Sequence, residues 1–156
     1  MKQTMDRLLV VDPRRCTGCR TCELACAFAH GQLAQPGLSR VKVYPTGPDR
    51  HLPLLCLQCS QAACLQVCPT AALSRNEGTG AIELAEQRCI RCRLCVVACP
   101  FGNLHVDERS GAIVKCDLCG GDPACARFCP THALCLFQHG QQPVRKVQPE
   151  LATSGP

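Results

Sequence analysis

The sequence predicts an α+β fold of short β-hairpins and short helices wrapped around dense groups of cysteines, with one unit used twice. Three observations predict it. The first is the run Cys89-Ile90-Arg91-Cys92-Arg93-Leu94-Cys95-Val96-Val97-Ala98-Cys99-Pro100, a CxxCxxCxxxCP motif. In a [4Fe–4S] protein three such closely spaced thiolates hold three corners of one cubane, and the fourth, before a proline, ligates a different cubane, so one motif requires another. The second observation is that the chain supplies three more quartets: Cys16, Cys19, Cys22, Cys26; Cys56, Cys59, Cys64, Cys68; and Cys116, Cys119, Cys125, Cys129. Sixteen of the 17 cysteines thus form sets sufficient for four [4Fe–4S] clusters. The third is an internal repeat, in which Cys68-Pro69-Thr70-Ala71-Ala72-Leu73 is echoed by Cys129-Pro130-Thr131-His132-Ala133-Leu134.

Taken in order, Arg7 to Asp12 is rich in branched residues and reads as a short strand, broken by Asp12-Pro13. Cys22 to His30 reads as one or two helical turns with Cys22 and Cys26 on one face. Ala27 follows Cys26 where the other quartets end in Cys-Pro, so this helix is expected to run on to His30. Gly31 to Gly37 reads as a loop, Ser39 to Tyr44 as a half-buried strand, and Pro45 to Pro53 as a turn-rich connector. A helix is expected around Ser60 to Val67, stopped by Cys68-Pro69. A hairpin follows, turning near Glu77 to Gly80 and returning on Ala81 to Leu84. The plan repeats after Cys99: Asn103 to Asp107, a turn at Glu108 to Gly111, then Ala112 to Lys115. Ala133 to Phe137 reads as a last strand holding the odd cysteine, Cys135, as a buried structural thiol.

The bulk numbers point the same way. With aromatics at 3%, no Trp, and 17 Cys, 12 Pro and 12 Gly in 156 residues, apolar packing alone would struggle against chain entropy. Cross-linking metal must make up the difference, so the iron-free chain is expected to be largely unfolded. A secreted disulfide scaffold would need an export signal, but only Leu8 to Val11 are apolar before Asp12-Pro13. The chain is therefore expected in the cytoplasm, where dense cysteines mean metal. Zinc is the other metal reading, since CxxC pairs also bind it, but it has no need of a third cysteine at CxxCxxC and a fourth before proline. No apolar run is long enough to span a bilayer, so direct membrane insertion is not expected. The formal charge of +5 is more than offset once each oxidised cubane contributes roughly −2. Scattered Lys and Arg with few aromatics also speak against nucleic acid as a partner.

Four quartets in this order resemble the four-cluster electron-transfer subunits of the dimethyl-sulfoxide-reductase iron–sulfur family. Within that family the chain is similar to the small polyferredoxin subunits of tungsten aldehyde oxidoreductases and of carbon-monoxide dehydrogenase. The resemblance covers Leu8 to Phe137. It implies two bacterial-ferredoxin-like modules, one inserted in the other: residues 1–53 with 112–137 outside, 54–111 inside, and a tail over 138–156 that is loose or laid on a partner. It also implies crossed ligation, with Cys16, Cys19 and Cys22 joined by Cys129, and Cys116, Cys119 and Cys125 joined by Cys26. In the inner module Cys56, Cys59 and Cys64 would take Cys99, while Cys89, Cys92 and Cys95 would take Cys68. Spacing alone leaves this pairing open. Two loops are wider than in a plain ferredoxin, between Cys59 and Cys64 and between Cys119 and Cys125.

Nothing in the sequence resembles a substrate-transforming site, and a four-cysteine cubane has no open position, so the chain is not expected to be an enzyme by itself. The chemistry is single-electron transfer, between a catalytic oxidoreductase subunit carrying molybdenum, tungsten or nickel and an acceptor such as a flavin subunit, in the setting of anaerobic metabolism. Accessible ends would also allow copies to dock and extend the path. Two rival functions stand beside this one: a maturation or scaffold protein for a hydrogenase or formate dehydrogenase, and a free soluble polyferredoxin. Lys115, Arg91 and Arg93 either raise cluster potentials or merely balance charge. His30, His51, His105, His132 and His139 share no motif and read as surface or hydrogen-bonded groups.

Overall fold

The branched run that opens the described chain finds its partner at the other end of it. In the computed structural model, which describes residues 7–31 and 38–138, strand β1 (Arg7–Val11) pairs antiparallel with β8 (Leu134–Gln138), Val11 opposite Leu134 and Leu9 opposite Leu136. Helix α1 (Thr21–Ala29) carries Cys22 and Cys26 on its buried face and is capped by His30, as the absence of proline after Cys26 predicts. It packs against α4 (Ala124–Arg127). Between these outer elements lie the hairpin β2 (Lys42–Gly47) with β3 (Arg50–Leu54), helix α2 (Ala63–Gln66), the hairpin β4 (Leu73–Arg75) with β5 (Ile82–Leu84), helix α3 (Leu94–Ala98), and the hairpin β6 (His105–Val106) with β7 (Ile113–Val114). Helices α2 and α3 pack on each other.

Three expectations need correction. Pro45 to Pro53 is not a connector: Pro45 pairs with His51 and Pro53 with Val43 across the β2–β3 ladder, with an irregularity between Pro45 and Gly47. A two-stranded ladder gives each strand one unpaired edge, and proline is tolerated where its missing N–H faces outward. The strand expected from Ser39 starts only at Lys42, because Ser39 is fully buried and donates its hydroxyl to the Val41 carbonyl at 2.7 Å in a local turn. The helix expected over Ser60 to Val67 is a single turn, Ala63–Gln66. Most of the loop from Gly31 to Gly37, and the tail after Gln138, lie outside the described residues.

Each hairpin has only two strands, so burial is concentrated around the cysteines. One core gathers Leu9, Val41, Val43, Leu55, Leu118 and Leu134 about Cys22, Cys26, Cys56, Cys116, Cys125 and Cys129. The second gathers Leu73, Ile82, Leu104 and Ile113 about Cys64 and Cys95, with Cys59, Cys68, Cys89 and Cys99 packed against it. Among the described residues no helix is long and apolar enough to cross a membrane.

Candidate metal centres

The four cysteine loops share a backbone device that the spacing alone does not reveal. Two residues after the first cysteine of every quartet the chain enters the left-handed region: Gly18 at φ 72°, Gln58 at 49°, Arg91 at 56° and Leu118 at 56°. Only one of the four is glycine. Consecutive N–H groups in such turns form concavities that suit anionic sulfur, which is what a cluster loop must present. A second device recurs three residues after the fourth cysteine, at Ala71, Gly102 and His132, whose N–H groups bond back to the carbonyls of Cys68, Cys99 and Cys129. Cys26 lacks this turn because α1 continues through it.

Sulfur hydrogen bonds come from the local chain. Cys68 receives the Ala72 N–H at 3.3 Å and has the Thr70 hydroxyl at 3.7 Å, and Thr131 stands likewise 3.8 Å from Cys129. The repeated Cys-Pro-Thr thus brings a hydroxyl to the sulfur, a role the sequence reading did not assign. Cys26 receives the Arg40 N–H at 3.3 Å, and Cys89 the Arg91 N–H at 3.4 Å.

Cysteines from different motifs are brought together. One pocket is lined by Cys16, Cys19, Cys22 and Cys129. Another is lined by Cys56, Cys59, Cys64 and Cys99. Burial, followed by the negative charge of Glu23, Cys129 and Cys16, pushes the Cys22 thiol up to about 12. Burial raises Cys125 as well, and the charges of Cys116, Cys26 and Cys119 add to the rise. Cys116 is pushed up to about 12, chiefly by burial. Cys95 is raised by burial and then by Cys89, while Cys68 packs against the same core.

Mutually repelling buried thiols become thiolates only against metal, which deprotonates a coordinating thiol outright. The donor set fits iron–sulfur cubanes better than zinc. Tetrahedral zinc draws four sulfurs to about 3.8 Å of one another, from a Zn–S bond near 2.3 Å. Among the described residues the one trio of His, Cys, Asp or Glu ligand atoms within 4.8 Å of each other is His30, Asp117 and Cys119. The quartets instead carry a third cysteine at CxxC spacing or a widened form of it and a fourth four residues on, a donor set that suits a cubane. All 17 cysteines are free of disulfides.

Two polar groups beside the centres carry no signal in the sequence. His30 donates through Nε2 to Asp117 at 3.0 Å and through Nδ1 to the Cys26 carbonyl at 2.8 Å. The Asp117 and Cys26 bonds lift His30 to about 10. They outweigh burial, which favours the neutral ring. Burial opposes the Asp117 charge too, but His30 and the Cys119 N–H bring it down to about 2. His51 lies against the first loop: a Cβ on Gly18 would meet its ring nitrogen at 2.5 Å, whereas a Cβ on Gly120, at a similar φ of +68°, would meet nothing within 4 Å. Gly18→Ala is therefore expected to destabilise the iron-loaded protein by more than about 1 kcal/mol, and Gly120→Ala by less, since only the first adds a clash to the backbone strain. Denaturant midpoints followed by visible absorbance check this ordering. Cys135 is only partly buried, its Sγ donating to the His132 carbonyl at 3.3 Å.

The family described as the 4Fe–4S dicluster domain matches residues 50–139, and a 4Fe–4S binding domain matches 13–29. The polyferredoxin-like subunit of an aliphatic sulfonate oxidoreductase from Pyrococcus furiosus is 40% identical over 121 residues, covering 78% of this chain and 70% of that protein. The electron transport protein HydN of Escherichia coli is 38% identical, covering 83% and 87%. Among solved structures, the active-site complex BamBC of benzoyl coenzyme A reductase matches at 27% identity and a TM-score of 0.52, over 90% of this chain and 83% of that one.

Proposed function

The chain belongs to the 4Fe–4S dicluster domain family, binding [4Fe–4S] clusters for electron transfer, and from that premise we propose that it holds four of them in series as the relay subunit of an oxidoreductase. The ligand sets are Cys89, Cys92, Cys95 and Cys68; Cys56, Cys59, Cys64 and Cys99; Cys116, Cys119, Cys125 and Cys26; and Cys16, Cys19, Cys22 and Cys129. One observation carries the reading. Cysteines of successive sets pack together: Cys95 with Cys64 in the inner core, and Cys56 with Cys116, Cys125 and Cys22 in the outer one. The sets therefore follow one another from the inner hairpins to the outer strands. The groups so held exchange one electron at a time, and a row of four joins proteins docked at its two ends.

The same packing supports a two-module reading, residues 1–53 with 112–137 around the β1–β8 pair and 54–111 around α2 and α3. Leu55, Cys56 and Ala81 of the inner segment pack into the outer core, which would fuse the modules rather than hinge them. Apolar side chains stand exposed near both ends, Val97 at 84% and Ile90 at 63% by the third motif, Phe28 at 66% and Phe128 at 53% by α1 and α4. Such surfaces suit a catalytic subunit at one end and an acceptor, a flavin subunit or a second copy at the other. The sulfonate oxidoreductase subunit among the relatives named above supports a sulfonate-type partner, while an aldehyde- or formate-type partner with molybdenum or tungsten is what the resemblance of the four quartets implies, in the cytoplasm where thiols stay reduced.

The test is elemental analysis of the complex purified anaerobically through a tag on this chain. About 16 iron per copy beyond the partner's own, together with molybdenum, tungsten or nickel, is the expected result. Full iron with no second metal would move the chain to the free-carrier or maturation class, and zinc in place of iron would overturn the cluster reading.

A further inference from the structure

Lys115 is the one buried charged side chain among the described residues, 4% exposed at the junction of the two cores. Its Nζ donates to Cys116 O at 2.7 Å, Cys56 Sγ at 3.3 Å and Gln58 Oε1 at 3.5 Å. Three acceptors use all three protons of an ammonium. Gln58, itself 7% exposed, is locked in place: it donates to the Cys116 carbonyl at 3.0 Å and accepts the Ile82 N–H at 2.8 Å. The lysine's own carbonyl takes the Arg40 guanidinium at 2.8 Å. Among the described residues no carboxylate lies within ion-pair distance of Nζ. A buried ammonium facing only dipoles and thiols is costly, so its counter-charge must come from what the neighbouring thiolates hold. Arg91 and Arg93 differ from it: both are exposed, and Arg91 turns its guanidinium to the Ser110 carbonyl.

We propose that Lys115 is a positioning residue for electron transfer, a fixed positive charge that raises the potential of the group held by Cys56, Cys59, Cys64 and Cys99 and spans the step to the group held by Cys116, Cys119, Cys125 and Cys26. It rests on the reading of those eight cysteines as two neighbouring clusters. The physical ground is direct: reduction adds negative charge, and a desolvated cation hydrogen-bonded to a ligand sulfur favours the reduced form. The step moves one electron and breaks no bond. The same charge is felt at Cys64 in one set and Cys116 in the next.

Potentiometric EPR titration of the wild-type chain, Lys115→Met and Lys115→Arg, each with its iron counted, tests this. The expected result for Lys115→Met is full iron with one midpoint lowered at least tenfold in its redox equilibrium, which is about 59 mV for one electron, and recovery of most of that shift in Lys115→Arg. Full iron with every midpoint unmoved would overturn the proposal. If Lys115→Met fails to hold iron, the wild-type protein labelled with 15N at lysine Nζ decides: pulsed EPR coupling of that nitrogen to one reduced cluster upholds it, and absence of coupling refutes it. Wild-type iron far below about 16 per chain would instead remove the four-cluster reading on which it stands.

Discussion

Stripped of iron under reducing conditions, the chain is expected to lose almost all of its structure, giving the far-ultraviolet circular dichroism of an unfolded polypeptide and no cooperative melting. The reason is what the protein lacks. Its strands are paired only two by two, and an isolated two-stranded hairpin is marginal in water. Its longest described helix, α1, has nine residues, and α2 and α4 have four each, well below the length at which helices hold alone. Among the described residues the large apolar side chains under 2% exposed are few, Ile82, Leu118, Leu134 and Val41. Cysteines fill much of the rest, beside Leu9, Val43 and Leu55 in one core and Leu73, Leu104 and Ile113 in the other. Thiols of an unfolded chain are protonated at neutral pH, and burial in the fold pushes Cys22 and Cys116 further up to about 12, so metal binding must displace their protons as the chain folds. Anaerobic reconstitution with iron and sulfide should restore the spectrum. A metal-free chain that still melts cooperatively would show that the apolar residues suffice.

What was legible in the sequence follows from which features depend on chemistry and which on packing. The binding of [4Fe–4S] clusters was legible because their ligand spacing is distinctive. The α1 extension to Ala29 was legible too, since Ala27 in place of proline leaves the hydrogen-bond ladder free to continue. The β2–β3 hairpin was not, because Pro45 and Pro53 argue against a strand unless its other edge is known to be empty. Gln58, Arg91 and Leu118 share a left-handed turn with Gly18, yet only the glycine advertises it. Nor does the sequence reveal that His30 and Asp117, 87 residues apart, meet beside Cys26. Lysine is almost always exposed, so a buried Lys115 could be distinguished from Arg91 and Arg93 only in three dimensions.

Replacing Cys99 with alanine is expected to remove the same cluster as replacing Cys64, and replacing Cys95 to remove a different one. In the sequence Cys95 and Cys99 belong to one motif, and in the structure Cys95 sits on α3 with Cys99 at its C-terminal cap. Their surroundings nevertheless divide them. Cys99 lines the cavity with Cys56, Cys59 and Cys64, and its charge is among those raising Cys64, after burial and Cys56. Cys95 is raised by burial and then by Cys89. Each alanine variant should therefore lose about four of about 16 iron. Cys64→Ala and Cys99→Ala should share one missing EPR signal, while Cys95→Ala and Cys68→Ala share another. The first pair is also expected to stop the relay, since it breaks the row between the inner end and the two outer sets, whereas loss of the set with Cys95 shortens the row at one end. Matching spectra for Cys95→Ala and Cys99→Ala would instead assign the ligands motif by motif, and the crossing of the chain between centres would have to be abandoned.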